Sequence, residues 1–370
     1  MTFAAVAEYI DEWVESGTVH GASIAIYHKG EMVARHHIGE AQPGQPVNDD
    51  TLFGLASLSK PITAATFMTV VDEGLVTLDT PVVDMLPEFG AEVDPLTANT
   101  MLETRRDEIT FRMLLAHTSG LPESPGGYDP STLPSRDEQI DAMLQVPLDS
   151  LPGEVLRYSN LGPGIAARAA EELTGTDFLT LTRERVLQPM GLNNIVLDPT
   201  AAKTARIATL QDPANPGTAW ETYNSAWWRT CAVPWGGYYG STRDMLRFGA
   251  SFLPGEASVL SDASCREMIS DQVGGVSGGV NSMYAWWDPG YWGVGWEVKG
   301  TKTRHWTGNK TSAQTYVHWG FAGTLAWFDP TRALGVAVFA NRSVMNGWMF
   351  RPQRWATLSD ALCDVADGLA

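Results

Sequence analysis

Extended segments near both ends of the chain, on either side of a helical middle, most constrain how it can fold. Residues 22–27 and 32–38 have the composition of strands and are separated by a short turn, so they predict a hairpin. Three further strands are predicted at residues 315–319, 325–328 and 334–340. Strands from both ends join most simply in one sheet, with the middle of the chain inserted as a second domain.

Apolar periodicity and capping residues predict helices through the rest of the chain. The predicted helices cover residues 3–16, 62–71, 109–117, 135–144, 162–173, 177–190, 242–253 and 349–369, and residues 121–134 are expected to form a loop. The pattern from about residue 100 to residue 230 is helical with long loops, so this stretch makes up the helical middle.

The composition argues against several classes of partner and location. The chain has 370 residues, 44% hydrophobic and 18% charged, so it can bury a sizeable core. A net charge of −18 argues against binding to nucleic acid or to an anionic membrane. The first thirteen residues lack the pattern of a secretion signal, and no segment is long enough to cross a bilayer. Three widely spaced cysteines are expected to be reduced core thiols of a cytoplasmic protein: Cys231, Cys265 and Cys363.

Ser57 and Lys60 form the only Ser-x-x-Lys of the chain and stand just ahead of an apolar helical run. On a helix the two side chains share one face, one turn apart. A serine hydroxyl needs a neighbouring base to become a nucleophile, and a lysine whose proton is removed by burial can be that base. The alternative is a helix-capping serine beside a solvated lysine.

Two further segments carry groups suited to the same chemistry. Tyr158 and Asn160 precede a predicted helix, where a tyrosine anion favoured by a lysine ammonium could take a proton from a serine. The alternative is a loop tyrosine followed by an N-capping asparagine. His318 and Gly320 end a predicted strand, where the backbone N–H of Phe321 could join that of Ser57 in an oxyanion hole. The alternative is an ordinary strand histidine.

Taken in order, Ser57-x-x-Lys60, Tyr158-x-Asn160 and His318-x-Gly320 resemble the three motifs of the serine β-lactamase and penicillin-binding-protein superfamily. The most similar branch holds class C β-lactamases, D,D-peptidases, D-aminopeptidases and family VIII carboxylesterases. The resemblance covers roughly residues 20–345 and extends to flanking stretches such as residues 115–122 and 235–238.

The resemblance implies a fold class, α/β (α+β), in which an antiparallel sheet is flanked by helices and joined to a mostly helical second domain. Residues 1–80 and 235–370 would form the first domain, residues 81–234 the second, and the active site would lie in the cleft between them. By position, the resemblance implies a nucleophile at Ser57, proton transfer by Lys60 and Tyr158, and acyl binding or lysine orientation by Asn160. It implies a catalytic histidine, His318, where many relatives have lysine. The N–H groups of Ser57 and Phe321 would form an oxyanion hole, with Trp319 and Gly320 beside it at the substrate.

Two features favour a neutral substrate with apolar or aromatic groups. Trp319 stands where relatives usually have a threonine that helps bind a carboxylate, and His318 is less reliably cationic than lysine. Thirteen of the fourteen tryptophans follow residue 219, including Trp227-Trp228, Trp286-Trp287, Trp292 and Trp296. We expect at least two tryptophans to line the substrate pocket.

Two other segments imitate these motifs. Lys310-Thr311-Ser312 resembles a third motif but has serine where glycine is required. Gly275 to Gly279 matches the Gly-x-Ser-x-Gly of a nucleophile elbow, with Asp288 and His305 downstream, but its glycines indicate a loop. Neither is expected to be catalytic.

The sequence thus predicts a serine hydrolase that forms an acyl-enzyme on Ser57, and specifically a carboxylesterase for a neutral, apolar or aromatic ester. No cofactor is predicted, and no cluster has metal-ligand spacing. A β-lactamase, a D-amino-acid peptidase or amidase, an acyltransferase using the same site and a non-catalytic binding protein stay open as alternatives. The substrate, the acyl acceptor and the oligomeric state are left undetermined.

Overall fold

A seven-stranded sheet dominates the computed structural model, which describes residues 1–91, 93–94, 96, 98–125, 129–350 and 353–368. The strands are β1 Gly21–His28, β2 Glu31–Gln42, β3 Gln45–Pro46, β4 Phe53–Gly54, β5 Leu156–Arg157, β6 Ile195–Val196, β7 Tyr239–Gly240, β8 Gly278–Val280, β9 Ala285–Trp287, β10 Glu297–Val298, β11 Tyr316–Gly320, β12 Thr324–Asp329 and β13 Leu334–Ala340. The main sheet has the order β10-β11-β12-β13-β1-β2-β3, and its neighbouring strands are all antiparallel. Both predicted groups of strands are confirmed, and they meet where β1 pairs with β13.

Helices account for much of the remaining described chain. They are α1 Phe3–Ala7, α2 Asp11–Glu15, α3 Ser59–Asp72, α4 Val82–Met85, α5 Thr100–Glu103, α6 Phe111–Leu115, α7 Arg136–Leu144, α8 Leu161–Thr174, α9 Phe178–Thr182, α10 Ala201–Thr204, α11 Ala226–Cys231, α12 Thr242–Ala250, α13 Asp262–Ile269 and α14 Arg354–Gly368. Two smaller sheets, β4-β7-β6 and β5-β8-β9, consist of very short strands that the sequence did not predict.

Several predicted helices are shorter or interrupted. The helix predicted at residues 3–16 is split by a 3-10 turn, and the one at 177–190 gives way to a π turn at Arg183–Leu187. The helix predicted at 109–117 ends at Leu115, because His117 takes a left-handed φ of 61°. The last helix begins at Arg354, and the parts of the predictions at residues 126–128, 351–352 and 369 lie outside the described residues.

The two faces of the main sheet pack against different helices. Ala25 and Tyr27 of β1 belong to the hydrophobic core that includes α3, whereas Ile24 and Ile26 belong to the core that includes α1 and α14. This is the period-two alternation expected of a strand, and because both faces are covered every residue of β1 is buried. The sheet therefore forms the middle layer of the fold.

Helix α3 is buried along almost its whole length. Every residue from Ser59 to Val70 is buried, which is the behaviour of a helix that is apolar on all sides. Because α3 is buried, the core holds the residues just before this helix and in its first turn, which include Ser57 and Lys60.

Three other sequence predictions can be compared with the structure. The cysteines are free, but only Cys231 and Cys363 are buried, while Cys265 is partly exposed. Among the described residues, no helix combines the length and apolar character needed to span a membrane. The division into domains at residues 1–80, 81–234 and 235–370 stays a prediction.

Candidate active site

Ser57 lies in a 3-10 turn, Ala56–Leu58, immediately before α3. The preceding residue, Ala56, has a left-handed φ of 50°, which is uncommon for a residue with a side chain and makes the backbone turn sharply. The turn is fixed through Leu55, whose N–H donates to Tyr238 O at 2.8 Å and whose carbonyl accepts from Thr324 Oγ1 at 3.0 Å. In a first turn, backbone N–H groups such as that of Ser57 have no helical acceptor.

The Lys60 amine is buried and contacts three oxygen atoms. Its Nζ lies 3.0 Å from Ser57 Oγ, 2.7 Å from Asn160 Oδ1 and 2.9 Å from the Trp235 carbonyl oxygen. Burial holds the pKa of the amine well below its usual 10.5. In its neutral form the amine has two N–H donors and one lone pair, and only Ser57 among the three partners has a proton to give. In that form the three contacts would direct the Lys60 lone pair to the Ser57 hydroxyl.

Tyr158 completes the group around Ser57. Ser57 interacts with the Tyr158 phenol and opposes the rise in its pKa, and Lys60 Nζ lies over its ring, 4.7 Å from the centroid. Burial raises the pKa of the Tyr158 phenol well above 10, so the phenol stays protonated at neutral pH. The expected tyrosine anion is therefore disfavoured, and Lys60 is the better base.

Asn160 stands at the N-cap position of α8 but does not cap it. Its side chain makes no capping hydrogen bond and instead accepts from Lys60, while its Nδ2 donates to Ser124 Oγ at 3.4 Å. The alternatives of a capping asparagine and a solvated lysine are both wrong. The structure brings together the first two predicted motifs.

An aromatic cluster packs against the Tyr158 ring. The rings of His117 and Trp292 have centroids 4.7 Å and 5.6 Å from that of Tyr158. His117 Nδ1 accepts the Ser159 N–H at 3.1 Å, which fixes the tautomer of that buried ring. Sequence reasoning did not identify His117 as part of the site, although it lies in one of the stretches that resemble the family, and it named Trp292 only among the tryptophans that could line the pocket.

His318 packs in this cluster and not along the open cleft. Its ring centroid is 6.1 Å from that of Tyr158 and 5.8 Å from that of Trp292, and its Nδ1 lies 2.8 Å from the Trp319 carbonyl oxygen. Burial, reinforced by the nearby Lys60, lowers the pKa of His318 to about 3. At neutral pH the imidazole is therefore uncharged, and a catalytic role for His318 stays a prediction.

The rest of the third motif borders the Ser57 turn. A Cβ on Gly320 would lie 2.2 Å from the Leu55 carbonyl oxygen, so only glycine lets β11 approach this closely. Trp319 and Phe321 line the cleft, and the Trp319 ring packs 5.3 Å from that of Trp306. Oxyanion binding by the Ser57 and Phe321 N–H groups stays a prediction.

Ser57, Tyr158 and Asn160 open onto a cleft of about 560 Å³. Trp228, Trp235 and Trp319 line it, which confirms that at least two tryptophans do so. Of the tryptophans named in the sequence analysis, Trp228 and Trp319 are among them, whereas Trp292 and Trp296 are fully buried. Glu123 is the one acidic or basic side chain that lines the cleft within the described part of the chain.

The segments that imitate the motifs lie apart from this chemistry. Lys310 is half-exposed and pairs with Asp364. Ser277 Oγ donates to Asp288 at 2.8 Å, but His305 is fully buried and contacts Thr307 and Glu297. These contacts do not form a Ser-His-Asp triad.

A buried ionic network lies next to the aromatic cluster. Glu297 Oε1 accepts from Lys302 Nζ at 2.6 Å and lies 3.1 Å from His305 Nε2, and its Oε2 accepts from Trp306 Nε1 at 2.8 Å. Lys302 Nζ also lies 5.4 Å from the ring centroid of Trp292. Within the described residues, no group of three or more His, Cys, Asp or Glu side chains is placed to hold a metal ion.

Comparisons with known proteins agree with the resemblance of the motifs. The sequence model of the Beta-lactamase family matches residues 6–355. Penicillin-binding protein 4 of Amycolatopsis lactamdurans is 29% identical over 307 residues, or 80% of this chain and 71% of that protein. Esterase EstB of Burkholderia gladioli is 28% identical over 368 residues, or 89% of this chain and 87% of that protein. A solved family VIII carboxylesterase shares the fold, with a TM-score of 0.77 at 21% identity over 96% of each chain.

Proposed function

We propose that this chain, which belongs to the Beta-lactamase family of serine hydrolases, is a carboxylesterase for neutral esters with apolar or aromatic groups. The observation that carries the proposal is the 3.0 Å contact between Lys60 Nζ and Ser57 Oγ beside a cleft lined by tryptophans. A desolvated amine in contact with a serine hydroxyl is the arrangement that nucleophilic catalysis requires.

Acylation begins when Lys60 takes the Ser57 proton and Ser57 Oγ forms a bond to the ester carbonyl carbon. The N–H groups of Ser57 and Phe321 receive the negative charge that develops on the carbonyl oxygen. The carbon–oxygen bond to the alcohol then breaks, and the leaving oxygen takes the proton from Lys60 through the neutral Tyr158 hydroxyl. The products of this half-reaction are the free alcohol and acyl-Ser57.

Deacylation follows the same path with water as the nucleophile. Lys60 takes a proton from the water through Tyr158, the water oxygen bonds to the acyl carbon, and the proton returns to Ser57 Oγ as the acid leaves. Lys60 and Tyr158 therefore act as base and acid in turn. An acceptor alcohol in place of the water would make the same site an acyltransferase.

The preference for neutral esters is supported by the side chains around the nucleophile. Trp319 supplies an indole where a hydroxyl would help bind a carboxylate, and His318 is uncharged and turned toward the Trp319 carbonyl oxygen. Glu123, the one carboxylate that lines the cleft among the described residues, repels anionic substrates. Similarity to a penicillin-binding protein supports the rival proposal, a β-lactam or D-amino-acid peptide as substrate.

Labelling and substrate profiling test this proposal together. We expect a fluorophosphonate probe to label Ser57 and the protein to hydrolyse 4-nitrophenyl butyrate. Ser57→Ala should abolish both reactions, while Ser277→Ala, the matched change in the Gly-x-Ser-x-Gly segment, should leave both near wild type. Turnover of a chromogenic cephalosporin or a D-Ala-D-Ala peptide, with none of the ester, would refute the esterase proposal. Failure of a folded sample to react with the probe would favour a binding protein.

A further inference from the structure

We infer that Glu123 sets the charge selectivity of the cleft, so that an ester with an ammonium group in its acyl chain is preferred over its neutral isostere and a carboxylate-bearing ester is rejected. This inference rests on the proposed esterase activity and goes beyond its neutral substrates, because it adds cationic esters as the class that the cleft prefers. It adds a specificity residue that none of the three motifs contains.

The position of Glu123 places its charge beside the reacting groups. Its backbone carbonyl accepts the N–H of Asn160 at 2.9 Å, and the Asn160 side chain in turn accepts from Lys60. Glu123 and Asn160 both line the cleft together with Ser57. If Asn160 binds the acyl side chain, a group on that chain comes within reach of the Glu123 carboxylate.

The carboxylate is held in one orientation across the mouth of the cleft. Its Oε2 accepts the Ser282 N–H at 3.0 Å, and its Oε1 accepts the Ser282 hydroxyl. Each carboxylate oxygen can accept about two hydrogen bonds, so both keep capacity for a cationic donor. A charge that is already oriented loses little side-chain entropy when it binds a ligand.

The walls of the cleft suit an organic cation. Tyr223, Trp228, Phe321 and Phe350 line it, and aromatic faces attract ammonium groups that approach them. Among the described lining residues, no lysine, arginine or histidine offsets the charge of Glu123. The Glu123 charge also acts on Lys60 and Tyr158, because it raises the pKa of each. Its field therefore reaches the position where the ester must bind.

The test uses three 4-nitrophenyl esters whose acyl chains match in length and end in trimethylammonium, tert-butyl or carboxylate. In the wild type we expect kcat/KM for the cationic ester to be about tenfold above the neutral one, and the anionic ester to be about tenfold below it. In Glu123→Gln all three should agree within about threefold, since the shape of the side chain is kept and its charge is lost. Glu154→Gln removes an exposed carboxylate outside the cleft and should keep the wild-type order.

Two results would overturn the inference: equal kcat/KM for the cationic and neutral esters in the wild type, or an unchanged preference in Glu123→Gln. If the neutral ester is hydrolysed while either result appears, the esterase function stands and only the charge selectivity fails. If no ester is hydrolysed and Ser57 is not labelled, the esterase function fails. In that case the charge selectivity is tested by binding of phenyltrimethylammonium, measured by tryptophan fluorescence. We expect Glu123→Gln to bind it with a Kd about tenfold weaker than that of the wild type. An equal Kd would contradict the charge selectivity.

Discussion

Lys60 and Lys302 are both buried, yet their surroundings differ in one respect that separates a base from a structural ion. The described hydrogen-bond partners of the Lys60 amine are three uncharged oxygens. Lys302 instead contacts the Glu297 carboxylate at 2.6 Å, and the pKa of Glu297 is lowered to about 2 by Lys302 and His305 despite its burial. Burial lowers the pKa of both lysines and a carboxylate opposes the effect at each, but Glu297 does so through a hydrogen bond to Lys302, whereas Glu123 acts on Lys60 through its charge alone.

The difference teaches that burial alone does not define a catalytic lysine. A desolvated amine next to neutral acceptors keeps its lone pair available for a proton, whereas an amine next to a carboxylate is held as an ion pair. The charge of the hydrogen-bond partners of each amine therefore assigns proton transfer to Lys60 and a structural role to Lys302.

The largest expected effect comes from changing each lysine to methionine, which keeps much of the volume and removes the amine. Lys60→Met should slow acylation of Ser57 by about 10³-fold, because the base is lost, while the fold is retained. Lys302→Met should leave acylation within about tenfold of wild type but lower the free energy of unfolding, because Glu297 becomes an unpaired buried charge. Rates of fluorophosphonate labelling and urea unfolding measure the two effects. Equal losses of labelling in the two variants would erase the distinction.

A second variant sharpens the comparison from the carboxylate side. Glu297→Gln leaves Lys302 without its counter-ion and should lower the free energy of unfolding by about 3 kcal/mol. Adding Lys302→Met should recover part of that loss, so that the two changes are not additive in urea unfolding. Additive losses would mean that the pair contributes no coupling, and Lys302 would then resemble Lys60.

The smallest effect is a shift in the pH dependence of kcat/KM for 4-nitrophenyl butyrate. Lys60 must be unprotonated to accept the Ser57 proton, and its lowered pKa places the rise of activity with pH below 10.5. The raised pKa of Tyr158 predicts no fall from phenol ionisation below pH 10. Because Glu123 raises the pKa of Lys60, Glu123→Gln should move the rise to lower pH. A shift to higher pH would contradict this electrostatic assignment.

Much of the fold and the core of the site could be predicted because the signals are local. The apolar runs of β1 and β13 indicate buried strands, and the spacing of Ser57 and Lys60 places both on one helical turn. The ordered motifs then indicated that Tyr158 and Asn160 join them. Two-residue strands such as β5 and β6 carry too few side chains to show a pattern.

Protonation and orientation could not be read from the sequence, because they depend on what surrounds each group in space. Burial keeps the Tyr158 phenol protonated, whereas the sequence predicted a phenolate. His318 packs against the Tyr158 ring and does not line the open cleft, although its place in the motif suggested a position in the cleft. Glu123 belongs to no motif, and only its contact with Ser282, distant in the chain, directs its charge across the cleft. The link between Glu297 and Lys302 likewise required the packed structure.

The pairing of β1 with β13 has a consequence for how the protein is made. Translation completes β1 at His28 but does not reach β13 until Leu334, so at 5–20 residues per second the early hairpin waits roughly 15–60 s for its neighbour. Throughout that interval the edge of β1 that later pairs with β13 has no partner, and an unpaired edge of a strand that is buried in the folded protein can pair with another nascent chain. A message truncated before codon 334 would release a chain that lacks β13, so β1 would have no neighbour on that edge.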